Sequence, residues 1–254
     1  MSKALNVAVC QINPTLGNFQ KNIDIISKNY KSAVEKGADL VVFPEMSITG
    51  YPPQDLLNNK EFIIQNISCL NELVKSITIP CILGYVDFED NKKFNAAAVC
   101  QDGEIVYKYQ KIHLPNYDVF DERRYFHSGD SVGIFDLKVN NSDYKIALQI
   151  CEDLWEDEYE RKISGEIIEN NPDLIINISA SPFANDRKND RMKWIQSKYK
   201  DANCPFIYCN LVGGQDELIF DGFSMVFNSE SELINIANGF EEKILITDLK
   251  TKEL

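Results

Sequence analysis

Three short segments place reactive side chains at the ends of apolar runs. Leu40-Val41-Val42-Phe43-Pro44-Glu45 delivers a carboxylate just past a proline. Tyr107-Lys108-Tyr109-Gln110-Lys111-Ile112-His113-Leu114-Pro115 sets Lys111 after a strand pattern and before an apolar-proline turn. Lys145-Ile146-Ala147-Leu148-Gln149-Ile150-Cys151-Glu152-Asp153-Leu154-Trp155 ends an apolar strand abruptly on a cysteine. A rigid strand end is where a scaffold exposes a nucleophile, and a thiol attacks only as its thiolate. Each residue alone also has an ordinary reading: Glu45 as a solvated loop acid, Lys111 as a plain lysine, Cys151 as a structural thiol. Four acids follow the cysteine closely, namely Glu152, Asp153, Glu156 and Asp157. Any of them pointing inward would raise the thiol pKa, so thiolate chemistry here needs a nearby cation, and Lys111 fits.

The elements that must hold these residues alternate along the chain. Strands are expected over residues 5–12, 39–43, 80–86, 95–101 and 104–109, the last two joined by the hairpin signal Asp102-Gly103. Helices are expected over 18–36, with Ile23, Ile26, Tyr30 and Ala33 on one face and Gly37 at the end, and over 58–76. The second half repeats the pattern with strands over 144–150, 173–178, 204–211, 218–228, 232–237 and 243–248, and helices over 159–170 and 189–202. This alternation predicts one α/β domain over 1–254, with two β-sheets in the middle and helices outside.

With 44% hydrophobic residues among 254, the chain can build a sizeable core. A net charge of −13 argues against nucleic acid or an anionic membrane as the main partner, because the average surface repels phosphates. The seven cysteines are odd in number and irregularly spaced, which suits free thiols in a reducing cytoplasm. No basic-then-apolar leader and no apolar run near about 18 residues is present, so neither secretion nor a membrane span is expected. No metal site is expected: His113 and His127 are far apart in sequence, and Cys204/Cys209 lacks zinc-knuckle spacing. Gly213-Gly214-Gln215-Asp216 lacks the serines of a pyrophosphatase phosphate loop, and Trp155 and Trp194 read as packing anchors.

Pro-Glu, then Lys-x-His-Leu-Pro, then Cys-Glu-Asp, each after a strand and in this order, resembles the nitrilase superfamily. The segments at 44–53, 111–126, 178–183 and 213–222 look like the glutaminase domain of glutamine-dependent NAD synthetases, and the likeness spans about residues 5 to 250. The resemblance implies a four-layer αββα sandwich and amide hydrolysis by Glu45, Lys111 and Cys151. Cys151 would attack the amide, Glu45 would move the proton, and Lys111 would stabilise the oxyanion with the backbone N–H of Glu152. Glu122 would hold Lys111 or Glu45 in place; its competing reading is a surface acid paired with Arg123 or Arg124. Tyr117, Ser181, Arg187 and Glu152 would bind glutamine, with Arg191, one turn after Arg187, as an alternative guanidinium. A homo-oligomer is also implied. No cofactor is expected in this domain, since ATP and deamido-NAD would belong to a synthetase domain. The sequence ends at Leu254 with no such half, so it reads as an ammonia-supplying subunit, a fragment or a free amidase. Two readings compete with glutaminase: an amidase for another ω-amide or a carbamoylated amine, and a silent interaction subunit.

Overall fold

Period-two burial sorts the first strand onto two cores. Val7 and Val9 point into the space between two sheets, while Ala8 and Cys10 point toward helices on the outer side. In the computed structural model, which describes residues 4–251, the chain runs β1 (Ala4–Gln11), α1 (Phe19–Glu35), β2 (Leu40–Val42), α2 (Lys60–Val74), β3 (Cys81–Glu89), β4 (Lys92–Gln101), β5 (Glu104–Gln110), β6 (Gly133–Val139), β7 (Ser142–Ile150), α3 (Ile163–Glu169), β8 (Leu174–Ser179), α4 (Arg187–Tyr199), β9 (Phe206–Asn210), β10 (Val212–Gln215), β11 (Leu218–Asp221), β12 (Met225–Phe227), β13 (Leu233–Ile236) and β14 (Lys243–Lys250).

One six-stranded sheet has the order β14-β1-β2-β3-β4-β5, the other β13-β12-β9-β8-β7-β6, and β10 and β11 form a separate hairpin. The facing surfaces meet through Val42, Ile82 and Val99 from one sheet and Leu148, Ile176 and Ile207 from the other. Ile26, Tyr30, Leu70 and Leu73 of α1 and α2 cover the outside of the first sheet. Ile163, Ile167, Ile195 and Tyr199 of α3 and α4 join the core of the second. Sheets flanked by helices on both sides are the expected layered architecture.

α1 forms where the apolar spacing predicts it. The Asn18 side chain caps it by accepting from the Lys21 N–H at 3.2 Å, and Gly37 follows its end at φ +79°. Three expectations differ from the structure. The strand over 218–228 is two strands in different sheets, because Gly222 and Phe223 both take positive φ and turn the chain between them. The helix over 159–170 shrinks to α3, since Lys162 Nζ binds the carbonyls of Glu156, Asp157 and Tyr159 and holds the preceding chain in a tight turn. β6 and β10 are additional, although the buried Phe135, Leu137 and Val139 of β6 alternate with outward residues.

β1, β2 and β3 run parallel, as do β7, β8 and β9. The chain leaves β2 toward Pro44-Glu45, β7 toward Cys151, and β8 toward Ala180-Ser181. These exits converge, because the Ala180 N–H donates to Glu45 Oε2 at 2.7 Å.

Candidate active site

Cys151 begins a 3-10 turn, Cys151–Leu154, directly after β7. Its φ is +43°, a left-handed conformation that costs a residue with a side chain on the order of 1 kcal/mol. Such strain persists only where the surroundings impose it, and here it lifts the thiol off the strand direction toward a cleft of about 230 Å³. Tyr117, Glu152, Trp155, Ser181 and Arg187 line this cleft with Cys151, and Phe183 and Ile219 form its apolar rim.

Glu45 and Lys111 are buried, and Lys111 Nζ donates to Glu45 Oε1 at 2.8 Å. Lys111 Nζ also donates to Glu122 Oε1 at 2.9 Å. Glu122 is only 5% exposed, so the surface reading fails; Arg124 pairs instead with Asp55 and Asp121. Two further residues complete the cluster, and neither is among the candidate site residues read from sequence. The Asn95 amide donates to Glu45 Oε1 at 2.6 Å and reaches Glu122 Oε2 at 3.3 Å. The Tyr51 hydroxyl donates to Glu122 Oε1 at 2.9 Å. Asn95 comes from β4, far from Glu45 in sequence, whereas Tyr51 follows Glu45 within the 44–53 segment and meets Glu122 only in the folded chain.

The electrostatics follow from two carboxylates around one ammonium. Burial alone would lower the Lys111 pKa, but Glu122 and Glu45 outweigh it and hold the ammonium well above its usual range. Burial pushes the Glu122 carboxyl up; Lys111 opposes this and Glu45 adds to it. The Cys151 thiol is raised well above its ordinary value, first by burial, then by Glu45, while Lys111 pulls it down and Glu152 and Glu122 push it up. Glu45, Lys111, Glu122 and Glu152 thus all act on one sulfur. A neutral thiol at rest, which loses its proton only as it attacks, is what this balance favours.

The cleft residues also sort themselves. The Tyr117 hydroxyl donates to both oxygens of Glu152, at 3.0 and 2.9 Å, and Tyr159 donates to Oε1 at 3.0 Å. Burial pushes the Glu152 carboxyl up to about 7, against the pull of Lys111 and both phenols. Arg191 is fully buried, forms an ion pair with Asp221 at 2.7 Å, and donates to the carbonyls of Ser181 and Pro182. Its donors are committed to the protein, so it shapes the loop carrying Ser181. Arg187, over the Trp155 ring at 5.3 Å, is the guanidinium that lines the cleft. Trp155 therefore does more than pack against Trp194: it also forms part of the cleft wall.

Residues 6–254 match the carbon-nitrogen hydrolase family. A glutamine-dependent NAD(+) synthetase of Thermotoga maritima is 41% identical over 256 residues, covering 99% of this chain and 43% of the relative. One from Aquifex aeolicus is 34% identical, covering 98% and 43%. The chain thus spans less than half the length of these relatives. The structure of a glutamine-dependent NAD+ synthetase from Acinetobacter baumannii superimposes with a TM-score of 0.90 at 32% identity, over 97% of this chain and 45% of that one. An amidase of the nitrilase superfamily from Nesterenkonia shares the fold, with a TM-score of 0.82 at 20% identity over 97% of this chain and 90% of that one. Sequence and fold together place the chain in the carbon-nitrogen hydrolase family.

Proposed function

We propose that the chain hydrolyses the side-chain amide of glutamine through a thioester on Cys151, supplying ammonia to an amidating synthetase activity of the kind its relatives are named for. The observation that carries this reading is the meeting of a left-handed cysteine at a cleft with a buried carboxylate–ammonium–carboxylate cluster. An amide is a weak electrophile, so attack needs a nucleophile made at the moment of reaction, charge stabilisation, and a proton for the departing nitrogen. Glu45 takes the thiol proton as sulfur bonds to the amide carbon. The Lys111 ammonium and the Glu152 backbone N–H stabilise the oxyanion. As the C–N bond breaks, Glu45 returns the proton to the leaving nitrogen, and ammonia departs. Glu45 then draws a proton from water, whose oxygen attacks the thioester. Collapse releases glutamate and restores the thiol.

Glutamine carries an α-carboxylate and an α-ammonium, and the cleft offers a partner for each. Arg187 supplies a guanidinium for the carboxylate, with Ser181 beside it. Glu152, steadied by Tyr117 and Tyr159, supplies a carboxylate for the ammonium.

Release of glutamate and ammonia in equal amounts from glutamine is the expected result. Cys151→Ala should lower the rate by several orders of magnitude, as loss of a covalent nucleophile does. Unchanged turnover in that variant would overturn the mechanism. Turnover of simple amides but not glutamine would overturn the substrate.

A further inference from the structure

In sequence, Asp153 is one of several acids behind the cysteine and the last residue of the Cys-Glu-Asp motif. In the structure it is fully buried and binds both catalytic segments at once. Its Oδ1 accepts from the backbone N–H groups of Ile112 and His113 at 3.2 and 2.9 Å, the two residues that follow Lys111. Its Oδ2 accepts from the Ile150 N–H at 3.0 Å, the residue before Cys151, and from the Tyr109 hydroxyl at 2.7 Å. One carboxylate therefore spans the loop that carries the ammonium and the turn that carries the sulfur.

We propose that Asp153 is a positioning residue that fixes the distance between the Lys111 ammonium and the Cys151 sulfur by clipping their two backbones together. The inference rests on Cys151 and Lys111 carrying the chemistry, but not on the identity of the amide. A carboxylate is the one side chain of this size that accepts on both branches. An asparagine has a single acceptor oxygen, and its amide would turn N–H groups toward backbone N–H groups. The clip also opposes relaxation of the positive φ at Cys151, since Ile150 and Asp153 flank that residue and are bonded to each other.

The consequence is a defined direction for the thiol. The charged and titratable groups acting on Cys151 are Glu45, Lys111, Glu152 and Glu122, with Tyr51, Tyr117, Tyr208 and Arg191 also within reach. Among the four strongest, only Lys111 favours the thiolate. Loosening the clip lets the ammonium retreat and raises the pH at which the sulfur reacts. Simple removal of the negative charge of Asp153 acts oppositely, because a lost anion eases thiol ionisation. The sign therefore separates positioning from plain electrostatics.

The experiment is the pH dependence of Cys151 alkylation by iodoacetamide in the full chain, normalised to titratable thiol, for the parent and Asp153→Asn. The proposal expects the inflection to move to higher pH, kcat to fall about 100-fold as for an ångström-scale misplacement, and KM to change little. Asp153 makes no bond to Tyr117, Ser181 or Arg187, so the KM-against-kcat split belongs to the same expectation. An inflection that stays or moves down, with activity lost only in proportion to folded protein, overturns the proposal. If Asp153→Asn does not fold, Tyr109→Phe decides: it removes one donor, and a smaller upward movement supports the clip while no movement overturns it. Because iodoacetamide is not a glutamine analogue, failure of the clip is distinguishable from failure of the substrate assignment.

Discussion

Glu152 shows the tension between binding and stability in one side chain. Burial pushes its carboxyl up to about 7, whereas in an unfolded chain it titrates at an ordinary glutamate's ~4.3. The folded state therefore holds its proton more tightly than the unfolded state, and stability falls as pH rises between those two values. Below both values the group is neutral in each state and contributes nothing; above both, the buried charge costs on the order of a few kcal/mol. Glu152→Gln keeps the shape without the charge. It should melt higher than the parent at pH 8, and the difference should vanish near pH 4. The same variant should raise the KM for glutamine by about 10-fold or more, the scale of one charge-assisted hydrogen bond, and remove the rise in KM below about pH 7 that protonation of Glu152 imposes on the parent. Thermal melts and initial rates across that range check both. A variant with the parent's pH dependence in both would show that Glu152 is neither strained nor in contact with substrate.

Elements hold these residues by backbone contacts that leave little slack. Gly84 in β3 lies against the Pro44–Met46 segment, and a Cβ there would sit 2.1 Å from the Met46 nitrogen and 2.6 Å from the Glu45 Cα. Both are main-chain atoms that cannot swing aside, so Gly84→Ala must displace Glu45 or bend β3. The expected cost is about 1–3 kcal/mol of stability, with activity reduced about 100-fold even in the folded fraction. Denaturant unfolding alongside normalised turnover tests this, and full activity in a stable variant would contradict it. At this scale, the regular part of the fold was legible in sequence. The strand leading into Glu45 is a short run buried on both faces, the one leading into Cys151 is buried on both faces over its final residues 146–150, and α1 has its spacing, its Asn18 cap and its terminal glycine. Breaks set by backbone conformation were not legible: residues 218–228 read as one apolar run, yet Gly222 and Phe223 turn it between sheets. Nor were partners joined only by folding. Asn95 is an ordinary polar residue locally, and Tyr51 and Asp153, although inside recognised segments, take their roles only because distant strands and loops meet.

Across the whole molecule, the site forms where the ends of parallel strands from the two sheets meet. Glu45 comes from the first sheet, Cys151 and Ala180 from the second, and the Glu45–Ala180 bond joins them. The chain holds seven cysteines, and burial makes most of them unreactive. Cys10, Cys81 and Cys209 are buried thiols held well above their usual range by desolvation, Cys100 is pushed up to about 12, and Cys204 is buried as well. Cys69 is part-exposed but has Glu72 rather than a cation beside it. Cys151 alone among them lines the cleft with the glutamine-binding candidates. The central claim is therefore tested most directly by treating the protein with a diazo ketone analogue of glutamine and mapping the adduct by mass spectrometry. The account predicts one adduct per chain, on Cys151, suppressed by excess glutamine. An adduct on another cysteine with Cys151 unmodified, or labelling of Cys151 that glutamine does not slow, would contradict it.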